Sequence, residues 1–195
     1  MNGKRFGSWL VPLLGLLLVL ILTQLPRLLQ MPSTASSIGG PFALTDQHGH
    51  EVKDTDFRGK LMLVYFGYSF CPDVCPTTLN QVVLALRALP PEQQAQIAPI
   101  FITVDPERDT VAQMADYVTS FSPALIGLTG SEAQISAVSK EYHVYARKAG
   151  VGANYGVDHS SILYLMGKDG RFLRHFDGNI SAEDLARGLE QALAG

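Results

Sequence analysis

The chain has 195 residues, 47% of them hydrophobic and 17% charged, with a formal charge of -3. That length fits one domain with a sizeable core. So slight an acidic balance offers no basic face to neutralise phosphates, which argues against a nucleic-acid partner. No heptad run, internal repeat or low-complexity tract indicates a repeat architecture.

The N-terminal segment stands apart. Lys4 and Arg5 precede a run from Phe6 to Leu25 without a charged residue, and about twenty apolar residues span a bilayer as a helix. Trp9 suits the interface, and the basic pair predicts a cytoplasmic N-terminus. Pro12 falls in the first turns, where a helix accepts proline. Residues 1–30 are therefore expected to be a single transmembrane anchor. A cleavable signal peptide is the second reading, because Ser33-Thr34-Ala35 offers small residues for cleavage. The long apolar run and the intervening QLPRLLQMP favour the anchor. On either reading the rest of the chain is exported, to a compartment where two nearby cysteines can form a disulfide.

Residues 31–41, MPSTASSIGGP, read as a linker, and residues 42–195 as one domain. FALTDQHGHEV alternates around a His-Gly turn and predicts a short hairpin. LMLVYF, 61–66, is a continuous apolar run typical of a buried central strand. YSFCPDVCPTTL, 68–79, follows at once and holds the only two cysteines, Cys71 and Cys75. Pro76 is tolerated only in the first turn of a helix, so the next helix begins within a few residues of Asp73 to Pro76. Leu79, Val82, Val83, Leu86 and Leu89 carry it at helical spacing until Pro90-Pro91 stops it.

IAPIFITV, 97–104, is a second buried strand. DPERDT follows, then a helix bearing Val111, Met114, Val118 and Phe121 on one face, with Asp109 as its expected cap. LIGLTG gives a short strand and turn, SEAQISAVSKEY a helix and HVYARK a brief strand. After the glycine-rich KAGVGANYGVD, SILYLM and RFLRHF form a hairpin around Lys168-Asp169-Gly170. A last helix, SAEDLARGLEQALA, is capped by Ser181 with Asp184 three residues on. The order predicts an α/β domain, a mixed sheet with helices on both faces. A cysteine pair at the first strand-to-helix junction makes it resemble the thioredoxin fold, with an N-terminal hairpin extension.

A helix N-terminus stabilises negative charge, so this junction lowers the pKa of Cys71, Cys75 or both. The pair admits a structural disulfide, a redox-active pair or two arms of a metal site. Thioredoxin-like oxidoreductases read C-x-x-C, whereas this chain has C-x-x-x-C. Thioredoxins also place a cis-proline opposite their cysteines, but no proline follows Pro123, and the loop entering SILYLM reads VDHSS. Packed as in thioredoxin-like folds, that loop brings His159 beside the cysteines. Two thiolates and an imidazole suit Cu(I) and allow Cu(II); zinc would usually want a fourth ligand.

GYSFCPDVCPTTL, TVDPERDT, YVTSFSPALIGLTG and VDHSSILYLMGKDGRFL, in that order over nearly all of the exported domain, resemble the Sco (SenC) family of copper chaperones for cytochrome c oxidase assembly. The resemblance implies copper held by Cys71, Cys75 and His159. It also implies a copper-accepting oxidase subunit as partner, with other copper chaperones or thiol reductants as further partners, and a periplasmic domain on an inner-membrane anchor. Delivering copper and reducing the acceptor's cysteines both remain open, as do a thiol-disulfide oxidoreductase and a copper or redox sensor.

Other residues carry weaker signals. Asp73 reads as a helix cap or a neighbour of the metal. Asp105 and Arg108 should reach the same sheet edge as the cysteines, to orient the site, meet a partner or pair with each other. His48 and His50 flank a turn glycine and read as solvated. His143 and His175 carry no role. Tyr65, Phe66 and Tyr68 are expected in the core, with shielding of the site as the sharper reading. Gly150, Gly152 and Gly156 make the loop that delivers His159 conformationally permissive.

Overall fold

The computed structural model describes residues 38–194 apart from Ala153. The expected membrane anchor and most of the expected linker lie outside the described residues. Among the described residues, no helix is long and apolar enough to cross a membrane. The packed domain reaches back to Ile38, which lies against the core, and to Gly39, whose N–H donates to the Glu141 carbonyl at 2.8 Å.

Among the described residues, nine strands and five α-helices follow in chain order. The strands are β1 (Ala43–Asp46), β2 (Glu51–Lys53), β3 (Leu61–Gly67), β4 (Ile97–Thr103), β5 (Ile126–Thr129), β6 (Ala146–Ala149), β7 (Gly156–His159), β8 (Ile162–Met166) and β9 (Phe172–Asp177). The helices are α1 (Val74–Ala88), the single turn α2 (Pro91–Gln94), α3 (Val111–Phe121), α4 (Glu132–Glu141) and α5 (Ala182–Ala194). Seven strands form one sheet in the order β2-β1-β5-β4-β3-β8-β9. β3, β4 and β5 run parallel, and the β1-β2 and β8-β9 hairpins add antiparallel edges.

The continuous apolar runs of β3 and β4 follow from burial on both faces. On β3, Leu61, Leu63 and Tyr65 pack with Leu79, Val82, Met114, Val118, Leu185 and Leu189, under α1, α3 and α5. The alternate residues Met62, Val64 and Phe66 pack with Ile135, Val138 and Tyr142, under α4. Both cysteines belong to the first of these layers.

Two local expectations change. Asp109 does not cap α3. Thr110 does, its Oγ1 accepting from the Gln113 N–H at 3.3 Å, while Asp109 turns inward and is fully buried. His159 lies not in a loop but at the end of β7, whose partner is β6. These two strands form a sheet of their own, with Ala146 opposite His159 and Ala149 opposite Gly156. β6 overlaps the brief strand expected at HVYARK, whereas β7, GVDH, is too short to show the apolar alternation that would have revealed it.

Candidate metal centre

The cysteine loop leaves β3 at Gly67 and enters α1 at Val74. Gly67 permits that path: a Cβ there would lie 2.7 Å from Cys75 Sγ and 2.8 Å from the Phe101 ring, so α1 approaches the sheet only over a glycine. Asp73 occupies the N-cap position, but its side chain makes no capping bond. The Cys75 N–H points instead at Cys71 Sγ, 3.4 Å away.

The β6-β7 hairpin supplies the third group. His159 Nε2 stands 3.2 Å from Cys75 Sγ. Its Nδ1 lies 3.0 Å from the Ser160 carbonyl, which can only accept, so Nδ1 carries the proton. In the neutral ring that leaves the Nε2 lone pair facing the thiols. The ligating atoms of Cys71, Cys75 and His159 all lie within 4.8 Å of one another. Among the described residues they are the one such group of three His, Cys, Asp or Glu side chains.

Cys71 and Cys75 are free thiols, and they divide one negative charge unequally. The Cys75 thiol donates to Cys71 and, with the Cys75 and Asp73 amides and against the effect of burial, holds Cys71 down to about 3. Cys75 is pushed up by that same bond and then by burial. A metal held there would displace the remaining thiol proton. Two buried sulfurs and one partly exposed imidazole form a soft to borderline donor set that fits a copper ion. Among the described residues no fourth His, Cys, Asp or Glu side chain joins the three, as closed structural zinc sites require.

Tyr65 and Tyr68 wall the site. The Tyr65 hydroxyl lies 3.9 Å from Cys75 Sγ and 3.4 Å from the Ser161 hydroxyl. Both rings meet the His159 imidazole edge-on, at 6.3 and 5.8 Å between centroids. Phe66 points through the other side of the sheet, against Tyr142 and Tyr164. His48 and His50 remain in the exposed β1-β2 turn, where their N–H groups donate to Asp46.

Sequence reasoning missed two supports. Asp109 accepts from the Ser69 N–H at 3.0 Å, the Ser69 hydroxyl at 2.5 Å and the Thr103 hydroxyl at 2.6 Å, tying the cysteine loop to β4. Burial pushes its carboxyl pKa up against those bonds. Tyr155 donates from its hydroxyl to Asp105 at 2.6 Å and lies under the Arg108 guanidinium. The second aspartate of DPERDT and the tyrosine four residues before His159 were visible, but nothing local showed where they point.

The model of the SCO1/SenC family matches residues 30–194. This chain belongs to the SCO1/SenC family. A SCO2-like protein of Rickettsia prowazekii is 42% identical over 151 residues, 76% of this chain and 73% of that protein. The mitochondrial SCO2 homologue of Bos taurus is 44% identical over 158 residues, 80% of this chain but 59% of its own length. The chain thus spans about three-fifths of that longer relative. The structure of Bradyrhizobium japonicum ScoI with copper bound has a TM-score of 0.75 at 45% identity, covering 80% of this chain and 99% of the other. The thioredoxin-like α/β fold is that of these Sco proteins.

Proposed function

We propose that this Sco protein binds copper through Cys71, Cys75 and His159 and delivers it to the copper-accepting subunit of cytochrome c oxidase during assembly. The observation that carries this reading is the convergence of two buried thiols and the Nε2 lone pair of a partly exposed imidazole within 4.8 Å. The similarity to a Sco protein solved with copper bound supports the choice of metal. Exposed Phe70 and Val74 flank the cysteines and offer an acceptor apolar contact beside the metal. The segment before residue 38 fits an inner-membrane anchor that keeps the domain on the periplasmic side, facing an oxidase in the same membrane.

The ionised Cys71 favours a second activity of the same pair. Its thiolate would attack an acceptor disulfide and expel one acceptor thiolate, and Cys75 would then resolve the mixed disulfide. The acceptor gains two electrons as two thiols, the chain is left with a Cys71–Cys75 disulfide, and an external thiol reductant must restore it. Transfer assays with a reduced and with a disulfide-bonded acceptor domain separate the two. Delivery predicts copper transfer that His159→Ala abolishes. Thiol reduction predicts acceptor reduction that survives the same change. Neither transfer nor reduction would leave the sensor reading.

A further inference from the structure

We propose that Arg108 is the positioning residue that holds the His159 hairpin closed over the cysteine loop, and so sets how firmly the third ligand is presented. The inference rests on the three-ligand reading above only where copper is measured. The β6-β7 hairpin shares no ladder with the seven-stranded sheet, so its placement over Cys75 depends on side chains.

Arg108 touches both ligand-bearing segments. On the hairpin side its Nη1 donates to the Tyr155 carbonyl at 2.9 Å, and its guanidinium lies 3.7 Å from the Tyr155 ring centroid. On the cysteine side the same guanidinium lies 4.8 Å from the Phe70 ring centroid and 5.6 Å from that of Tyr68, whose ring meets His159 edge-on. Asp105 locks the clamp: buried, it accepts from Arg108 Nε at 2.5 Å on one oxygen and from the Tyr155 hydroxyl at 2.6 Å on the other. A planar guanidinium can stack on rings and fork its hydrogen bonds at once, which an ammonium cannot. A Lys148–Glu107 ion pair adds a second, exposed tie between the hairpin and the loop that carries Arg108.

The test uses the reduced full chain with Arg108→Lys and Tyr155→Leu, and Arg187→Lys on the exposed face of α5 as control. In the metal-free protein, amide exchange over residues 155–159 should quicken about ten-fold in both variants, with β3, β4 and the control unchanged. Hairpin protection equal to wild type, or protection lost equally in β3 and β4, would overturn the proposal. If Tyr155→Leu does not fold, Tyr155→Phe, which loses only the hydroxyl bond to Asp105, should quicken the hairpin by less, and no change would count against the clamp. In the copper arm, Arg108→Lys should weaken Cu(I) binding roughly ten-fold, as loss of an outer support does, and should add nothing to His159→Ala. Additive losses would show that Arg108 does not act through His159. Absence of copper binding in wild type would defeat the proposed function while leaving the exchange result to judge the clamp.

Discussion

His159 Nε2 stands 3.2 Å from Cys75 Sγ although 84 residues separate them. The contact joins two separately built pieces, the turn from β3 into α1 and the β6-β7 hairpin, which has a ladder of its own. A metal bound there would staple them together.

The division of charge between the cysteines predicts a pH response of the reduced, metal-free protein. Cys71 is held near 3, far below its ordinary value of 9.0. Between those limits the unfolded chain keeps a proton that the folded chain lacks, so this group stabilises the fold increasingly as pH rises. The contribution is complete above 9 and is lost as pH falls towards 3. Urea unfolding between pH 5 and 8 should show a steeper rise for wild type than for Cys71→Ser. One of the two thiols should also absorb as thiolate at neutral pH, and iodoacetamide should label Cys71 ahead of fully buried Cys75. Equal slopes with no thiolate would contradict the assignment.

Gly67 sets the approach of α1 to the sheet. In Gly67→Ala the new methyl would meet Cys75 Sγ at 2.7 Å and Phe101 at 2.8 Å. Overpacking of that kind costs about 1–3 kcal/mol, and here it displaces Cys75, one of the three proposed ligands. Denaturation should show the loss of stability, and copper titration a weaker site. Wild-type behaviour in both would mean that the turn adjusts freely.

Asp109 anchors the cysteine loop through Ser69 and Thr103. Asp109→Ala leaves the Ser69 N–H and two hydroxyls without their acceptor and should cost about 1–3 kcal/mol in urea unfolding. Asp109→Asn keeps an oxygen for the Ser69 N–H and the Thr103 hydroxyl and removes a buried charge, so it should cost less. Equal losses in the two variants would place the importance of Asp109 in its charge instead.

Much of this was legible in the sequence. The apolar runs of β3 and β4, the proline that dates the start of α1, and the paired hairpins around His48-Gly49-His50 and Lys168-Asp169-Gly170 are local signals, and the structure has these elements where they were expected. The convergence of His159 on the cysteines was reached only by supposing a thioredoxin-like packing of the last hairpin. The inward turn of Asp109 and the role of Tyr155 had no local sign. Each depends on a contact made across 40 or more residues, from Asp109 to Ser69 and from Tyr155 to Asp105. The Asp105–Arg108 pair fell between these cases: pairing with each other was one of three roles open to the two residues, the structure forms that pair, and only the fold showed the ring beneath it.

The most direct measurement is copper stoichiometry and affinity of the reduced protein, wild type beside His159→Ala. A site built from Cys71, Cys75 and His159 predicts one tightly held copper per chain, weakened at least about ten-fold by loss of a ligand that its surroundings orient. Weak binding, or binding indifferent to His159, would contradict the metal centre and leave the cysteine pair as a thiol reductant.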